Sequence, residues 1–516
     1  MKAINVLLAI LVSLMIALGV FEGGLRLLGM GPPSILNEFD SSLGWSKQAD
    51  ISVTRTTGEY DVTFELNELG LREDAGQTSA KPEGTFRVVC LGDSFTLGYT
   101  VQREDLFVDQ LENWWNAEGR NVDVVNTGTE GYATDQEVSW LLEHGDEWQP
   151  NLVLLFAYDN DLYYNGQSNY LRFPKPRFSP EGELDVETLE DPGTRSFFER
   201  SAIGNMLRTK DTLDTFEPVG SKNPAVLKEF GPLFVTQPEF MVDALARTTG
   251  ALKALKAECD KLGATAVIVP IPSHSSIDEA FSGPFGEAVL GLDRSAWDPD
   301  QPVEHFLASA SAAGLASIDP RAAMRATEGD LFYQRDFHLN AAGNAALAKI
   351  VHAELQSMGL MPASTSEIAL ADVAPASAPA KSGMPGFLPY YLGLWLLIGG
   401  LYANYYKDEK APLAFIKVGG LLALIFSIAI GGSTGIGMLP PQFSQIAMIL
   451  VVFAILGFVL YKLGDKLGTI VELILAFVGR GHWYLMPLVV ILLSVGSLLV
   501  VAAASPLVAP FIYTLF

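Results

Sequence analysis

Cysteine is nearly absent from the 516-residue sequence, which contains only Cys90 and Cys259. Two cysteines cannot form the set of disulfides that holds a small secreted domain together, so we expect two buried thiols. The six histidines are scattered without the spacing of zinc ligands, and no glycine-rich loop is followed by a phosphate-binding lysine. We therefore predict neither a metal site nor a cofactor.

Basic residues are also scarce. The chain has 34 lysines and arginines against 59 aspartates and glutamates, which gives a formal net charge of −25. Most of this negative charge lies in the middle of the chain, between two apolar ends. Because an acidic surface repels a phosphate backbone, we expect no nucleic acid partner.

Apolar residues concentrate at both ends of the chain. Residues 4–20 carry no charge and follow Lys2, and four more apolar runs lie at 387–406, 418–439, 446–461 and 484–507. Each is close to the length of a membrane-spanning helix. The first run also resembles a cleaved signal peptide, whose apolar core is usually about 7 to 15 residues. Its greater length and the lack of a small-x-small cleavage site favour an uncleaved anchor.

The basic residues between these runs are distributed unevenly. The loops after the second and fourth runs contain lysines and an arginine, whereas the turn at 440–445 has none. If Lys2 and the N-terminus are cytoplasmic, five spans place every basic loop inside, as the positive-inside rule requires. We therefore predict a multi-pass protein of a bacterial inner membrane, with the middle segment and the C-terminus periplasmic or extracellular.

The middle segment alternates β-rich runs with helical patterns. Strands are predicted at 88–91, 122–125, 152–157 and 266–270, and helices at 105–118, 134–147, 238–262 and 340–357. This alternation is typical of an α/β fold with a mainly parallel sheet. Ligands of such folds bind at the carboxyl ends of the strands, and Ser94, Gly131 and Asn160 each follow a predicted strand.

Other segments flank or interrupt this pattern. Residues 163–237 insert about 75 residues where connections usually have about 4 to 6. The aromatic side chains of the insertion could line a substrate groove or pack it onto the domain. The predicted domains are an N-terminal anchor at 1–30, a β-rich extension at 31–80 with a strand at 60–66, the α/β domain at 81–360, an Ala/Pro/Ser linker at 361–385, and an all-α region of four transmembrane spans at 386–516.

Four short blocks supply the residue types that a serine hydrolase needs. They are Gly92-Asp93-Ser94, Asn126 through Gly131, Asn160-Asp161 and Asp336-Phe337-His338. In this order, with three of them at strand ends, the blocks resemble those of the SGNH (GDSL-type) hydrolase family over about residues 65–357. The resemblance implies a three-layer sandwich built on a mainly parallel sheet, and ester hydrolysis through an acyl-enzyme.

By this resemblance, Ser94 is expected to be the nucleophile, His338 the general base, and Asp336 the residue that orients the imidazole. The backbone amides of Ser94 and Gly131 and the side-chain amide of Asn160 would form the oxyanion hole. The family usually has Asp-x-x-His, so the Asp-x-His of this chain departs from the pattern.

Each of these residues also has a simpler interpretation. Ser94 could cap a helix, His338 could be solvated, Asn160 could form an Asx turn, and Gly128 could replace Gly131 in the oxyanion hole. Tyr158 stands where the family often has a glycine, which implies a narrower pocket.

The last part of the chain, from about Val471 to Phe516, carries a second resemblance. It is similar to a family of very small bacterial membrane proteins of unknown function that accompany polysaccharide assembly. The expected function is therefore a membrane-anchored serine esterase that removes acyl groups, O-acetyl first, from an envelope or exported glycan, with polysaccharide-assembly membrane proteins as partners.

Two alternatives stay open. One is an O-acyltransferase that modifies an exopolysaccharide with the same site, because the Asp-x-His spacing also resembles that of alginate-type acetyltransferases. The other is a non-catalytic scaffold of a polysaccharide-assembly complex.

Overall fold

The structure is a computed structural model that describes residues 36–57, 59–170, 173–185, 189–193 and 214–364, with isolated residues at 18, 19, 22, 201, 203, 204, 392, 395, 396, 412, 415 and 416. Apart from these isolated residues, the predicted N-terminal anchor and C-terminal spans lie outside the described residues, as does the linker beyond residue 364. Within the described part, no helix has both the length and the apolar composition to cross a bilayer.

The chain divides into two compact units, and one of them comprises Pro33–Arg195 and Arg208–Ser377. Every element below belongs to that unit. It begins with two antiparallel hairpins in the predicted β-rich extension. The first pairs β1 (Asn37–Asp40) with β2 (Gly44–Lys47), and the second pairs β3 (Ile51–Thr56) with β4 (Asp61–Leu66). Side chains of β4 alternate between buried and more exposed positions, as expected for a strand with one buried face.

A five-stranded parallel sheet forms the centre of this unit. Its strands are β5 (Phe86–Gly92), β6 (Val122–Asn126), β7 (Leu152–Ala157), β8 (Thr265–Pro270) and the two-residue β9 (Ala316–Ser317), in the spatial order β9-β8-β7-β5-β6. Strand β7, LVLLFA, is buried throughout, which is typical of a parallel sheet covered on both faces. The α/β fold and the parallel sheet are confirmed.

Helices cover both faces of the sheet. They are α1 (Ser94–Leu97), α2 (Phe107–Ala117), α3 (Thr134–Trp148), α4 (Asp161–Tyr164), α5 (Glu239–Leu262), α6 (His274–Ile277), α7 (Glu279–Phe285), α8 (Gln301–Ala313), α9 (Arg321–Arg325) and α10 (Ala341–Ser357). Alternate residues of β7 point to opposite faces: Leu154 packs in a core with α2 and α10, whereas Leu155 packs in a second core with α3, α5 and α8. No range was predicted for helices α1, α4 and α6 to α9 or for strands β1 to β3 and β9.

Both cysteines are buried free thiols, as expected. The aromatic residues of the insertion also have a defined place. Tyr170 and Phe173 pack against Trp45 of β2, with ring centroids 5.6 and 5.7 Å away, and Phe178 is fully buried. These rings therefore pack the insertion onto the domain and its extension, which is one of the two interpretations that the sequence left open.

Candidate functional site

The carboxyl ends of three neighbouring strands bring the first three blocks together. Gly92 of β5 pairs with Phe156 of β7, and Cys90 pairs with Asn126 of β6. Asp93 caps α1 by accepting a 2.9 Å hydrogen bond from the Phe95 amide, so Ser94 is the first residue of the helix rather than its cap. Ser94 therefore lies at the strand-to-helix turn.

Ser94, His338 and Asp336 form a continuous row of hydrogen-bonded side chains. The Oγ of Ser94 lies 2.8 Å from Nε2 of His338, and Nδ1 of His338 lies 2.5 Å from Oδ1 of Asp336. The rings of Phe95 and Tyr99 stack on the imidazole at centroid distances of 4.4 and 5.4 Å. The structure thus brings together all three predicted members of a catalytic triad.

The short Asp-x-His spacing is accommodated by an unusual backbone. Phe337 has φ +67°, a left-handed conformation that costs a residue with a side chain about 1 to 2 kcal/mol. This turn lets Asp336 and His338 point their side chains toward each other although a single residue separates them. Asp336 therefore keeps its hydrogen bond with the imidazole of His338 although the spacing departs from that of the family.

The charges around His338 determine its protonation. Burial by itself would lower the pKa of His338, but the carboxylate of Asp336, its hydrogen bond and the more distant Asp93 together raise that pKa above the ordinary value of 6.5. Burial also raises the pKa of Asp93 to about 6, although the Phe95 amide and His338 favour its charged form. The imidazole is consequently a stronger base than a free histidine.

The predicted oxyanion donors follow β6 and β7. Gly131 has φ +76°, and a Cβ there would lie 2.8 Å from Cε1 of Tyr170. The rival Gly128 is packed so closely that a Cβ would lie 2.3 Å from the Leu97 amide, and its own N–H already donates to Oδ1 of Asn126 at 2.9 Å. None of the described residues accepts a hydrogen bond from the Gly131 amide. Gly131 is therefore the better donor candidate.

Asn160 does not act as an Asx cap. It precedes α4, but its side chain makes no capping hydrogen bond, and its Oδ1 is buried without a partner among the described residues. Tyr158, two residues before it, packs its ring on Phe95 at 4.3 Å and so fills space beside the imidazole. Nδ2 of Asn160 donates to no described residue, and a free N–H group at this strand end is what a third oxyanion donor requires.

A buried lysine of the extension supports the loop that carries Gly131. Nζ of Lys47 donates to the carbonyl oxygens of Thr127 and Gly128 at 3.1 and 2.5 Å, and to Oγ1 of Thr129 at 3.2 Å. Burial lowers the pKa of Lys47 to about 7, partly opposed by the charge of Glu73. The sequence did not predict this residue in the site, since Lys47 lies about 80 positions from the loop.

Comparison with known families matches the region that holds these residues. The model of the GDSL-like lipase/acylhydrolase family covers residues 90–346. This match supports a GDSL-like (SGNH) acylhydrolase domain at these residues, which is called the SGNH domain below. A second model, a family of unknown function (DUF5989), covers residues 467–516. No curated protein matches the chain.

Three of the solved structures that match part of this chain are as follows. The TesA structure is 12% identical, covering 53% of this chain and 99% of its own, with a TM-score of 0.30. The psychrotrophic esterase EstA from Pseudoalteromonas sp. is 11% identical, covering 53% and 97%, with a TM-score of 0.29. The acetyl xylan esterase AlAXEase is 13% identical, covering 52% and 100%, with a TM-score of 0.30.

The SGNH domain contains further buried polar groups near the site. Asp161 accepts hydrogen bonds from Oγ1 of Thr134 and the Tyr158 amide, both at 3.2 Å, and burial raises its pKa well above the ordinary value. His274 is stacked between Phe281 and Phe332 at 3.9 and 5.0 Å. The described residues contain no cluster of three histidines, cysteines or acids arranged to hold a metal ion.

Proposed function

We propose that the SGNH domain is a serine esterase in which Ser94 is the nucleophile, His338 the general base and Asp336 the orienting acid. The hydrogen-bonded row of these three side chains carries the proposal. A serine hydroxyl becomes nucleophilic when a base can take its proton, and the 2.8 Å contact with Nε2 of His338 provides that base. A scaffold without catalysis would have no need for this row.

The reaction follows from the same geometry. Oγ of Ser94 attacks the ester carbonyl while Nε2 of His338 takes its proton, and Asp336 stabilises the resulting imidazolium through Nδ1. His338 then gives the proton to the departing alcohol, leaving an acyl-enzyme. Water, deprotonated by His338, attacks the acyl carbonyl. As this second tetrahedral intermediate collapses, His338 returns the proton to Oγ of Ser94 and the acid is released. The amides of Ser94 and Gly131 and the side chain of Asn160 are proposed to stabilise both tetrahedral intermediates.

We propose a short acyl group, acetyl first, on an envelope or exported glycan. Tyr158 supports the short acyl group, because its ring occupies space beside Phe95 where a glycine would leave room. The membrane anchor follows from the apolar ends of the sequence, which predict export of this domain. The glycan and the polysaccharide-assembly partners are proposed from the resemblance of the last part of the chain to a family of small bacterial membrane proteins.

Covalent labelling tests this proposal directly. The full-length protein is expected to react with an organophosphonate ester at Ser94, because only an activated serine reacts quickly. Peptide mass spectrometry identifies the modified residue, and Ser52, an exposed serine of β3, is the internal reference. Labelling at random serines, or no labelling at Ser94, would reject the esterase. The non-catalytic scaffold would then be the remaining hypothesis.

The pH profile of the esterase gives a second test. Because the pKa of His338 is raised and catalysis needs neutral imidazole, kcat/KM is expected to fall as the pH drops through a value above 6.5. Asp336→Asn is expected to move this acidic limb to lower pH, since it removes the main charge that raises the pKa. An acidic limb near the ordinary carboxylate range, about pH 4, would contradict His338 as the base.

An O-acyltransferase would use the same acyl-enzyme and discharge it onto a sugar hydroxyl. The Asp336-Phe337-His338 turn favours this second candidate, since the left-handed Phe337 realises the Asp-x-His spacing that resembles alginate-type acetyltransferases. Supplying an acetyl donor with an acceptor oligosaccharide separates the two: free acetate alone supports the esterase, and acetylated sugar supports the transferase.

A further inference from the structure

The second hairpin of the β-rich extension reaches the triad from outside the residues matched by the family model. Strands β3 and β4 span residues 51–66, whereas the match begins at residue 90. The segment that leads into β4 contains Glu59 and Tyr60, and both contact the turn that holds Asp336 and His338. Residues 276 or 277 positions apart in the chain are thereby joined at the site.

Tyr60 contacts the orienting acid itself. Its hydroxyl donates to Oδ2 of Asp336 at 2.7 Å, while Oδ1 of the same carboxylate meets His338. Tyr60 is 7% exposed, its ring packs against Tyr333 at 5.3 Å, and its amide donates to Oγ1 of Thr57. With one partner on each oxygen, the plane of the Asp336 carboxylate is fixed relative to the imidazole.

Glu59 holds the backbone of the same turn. Its Oε1 accepts from the amides of Gln334 and Arg335 at 2.9 and 3.1 Å, and its Oε2 accepts from those of Arg335 and Asp336, both at 3.1 Å. One carboxylate thus satisfies three successive N–H groups directly before the left-handed Phe337. These bonds oppose relaxation of the strained turn, which would move Asp336 away from His338.

We infer that Tyr60 and Glu59 are positioning residues of the active site, so that the β3–β4 hairpin helps to align the triad although it lies outside the residues that the family model matches. The inference rests on the proposed function, because it holds that these two residues keep Asp336 aligned with His338 in the catalytic triad. Tyr60 acts through Asp336 and also stabilises its negative charge. The hydrogen bond from Tyr60 stabilises the Asp336–His338 pair more when His338 is neutral than when it is protonated. With neutral His338 the pair carries a net charge of −1, whereas with the imidazolium its net charge is zero.

The Tyr60→Phe variant of the full-length protein tests the inference with p-nitrophenyl acetate. It keeps the ring and removes only the hydroxyl. We expect kcat to fall about 10-fold with KM unchanged, because orientation and not substrate binding is lost. The acidic limb of the pH profile is expected to move up by about half a unit, since the lost donor makes the pair easier to protonate.

A control variant and a second positioning variant complete the experiment. Thr54→Val removes a hydroxyl of the same hairpin that bonds Thr63 on the exposed face, and it is expected to leave kcat and the acidic limb unchanged. Glu59→Gln replaces half of the acceptor with a donor facing three N–H groups, and we expect it to lower kcat without altering KM. Tm is measured for all variants.

The outcomes separate this inference from the proposed function. If wild-type protein is not labelled at Ser94, the proposed function fails. If it is labelled, but Tyr60→Phe and Glu59→Gln lower Tm while kcat and the acidic limb match those of Thr54→Val, the hairpin is only structural and the inference is overturned. Should Tyr60→Phe fail to fold, the kcat of Glu59→Gln decides.

Discussion

Ser94→Ala is expected to lower kcat/KM for p-nitrophenyl acetate by about 10⁴-fold or more, because the variant retains the base and the oxyanion donors but has no nucleophile. The change removes one hydroxyl whose main partner is Nε2 of His338. We therefore expect Tm to stay within a few degrees of the wild-type value, so that lost activity reports lost chemistry. The measurement is the initial rate over a range of ester concentrations.

A double variant shows whether these side chains act as one unit. Members of a triad are strongly non-additive, so Ser94→Ala combined with His338→Ala is expected to be no slower than Ser94→Ala alone. Ser52→Ala, at an exposed position of β3, serves as the matched control and should retain full activity. A Ser94→Ala protein with more than a tenth of the wild-type rate would show that another residue is the nucleophile.

The sheet was predictable from the sequence because its strands are nearly continuous apolar runs. The predicted strand at 152–157 coincides with β7, and the one at 266–270 differs from β8 (Thr265–Pro270) by one residue. Helix-breaking residues and short length explain two of the elements that were missed. Helix α7 contains Gly283 and Pro284, and β9 has only two residues, so neither gives a periodic pattern.

The site was predictable only where residues lie in recognisable blocks. Ser94, Asp336 and His338 are joined as expected, and their catalytic roles stay a prediction. Tyr60 looked like the first residue of a strand with a buried face, and nothing in that pattern shows that its hydroxyl meets Asp336 276 positions away. The left-handed conformation of Phe337 was not predictable from the sequence either, because positive φ angles are usually found at glycine or asparagine.

The contact of Lys47 with the oxyanion loop suggests a variant with a large effect on both stability and activity. Lys47→Met preserves the apolar stem but leaves the buried carbonyl oxygen of Gly128 without its donor. It also removes one hydrogen bond each from Oγ1 of Thr129 and from the Thr127 carbonyl, which keeps its bond from the Thr129 hydroxyl. Buried acceptors without partners are costly, so the free energy of unfolding is expected to fall by about 2 to 4 kcal/mol. Urea unfolding followed by tryptophan fluorescence measures this change.

The same variant is expected to slow the esterase. Because the loop of residues 127–129 leads directly to Gly131, losing its anchor displaces a proposed oxyanion donor, and kcat should fall about 10- to 100-fold. Lys256→Met is the matched control, since Lys256 forms only an exposed i,i+4 pair with Asp260 and should cost no more than about 0.5 kcal/mol. A normal kcat for Lys47→Met would show that Lys47 does not position the proposed oxyanion donor.

The protonation of Lys47 adds a pH dependence whose sign can be derived. Burial lowers the pKa of folded Lys47 to about 7, whereas the unfolded chain has the ordinary 10.5. Between these values the unfolded state holds a proton that the folded state has released, so raising the pH favours folding by at most about 1.4 kcal/mol per pH unit. The stability difference between wild type and Lys47→Met should therefore grow from pH 7 toward 10. A difference that stays constant over this range would mean that the buried Lys47 keeps its charge.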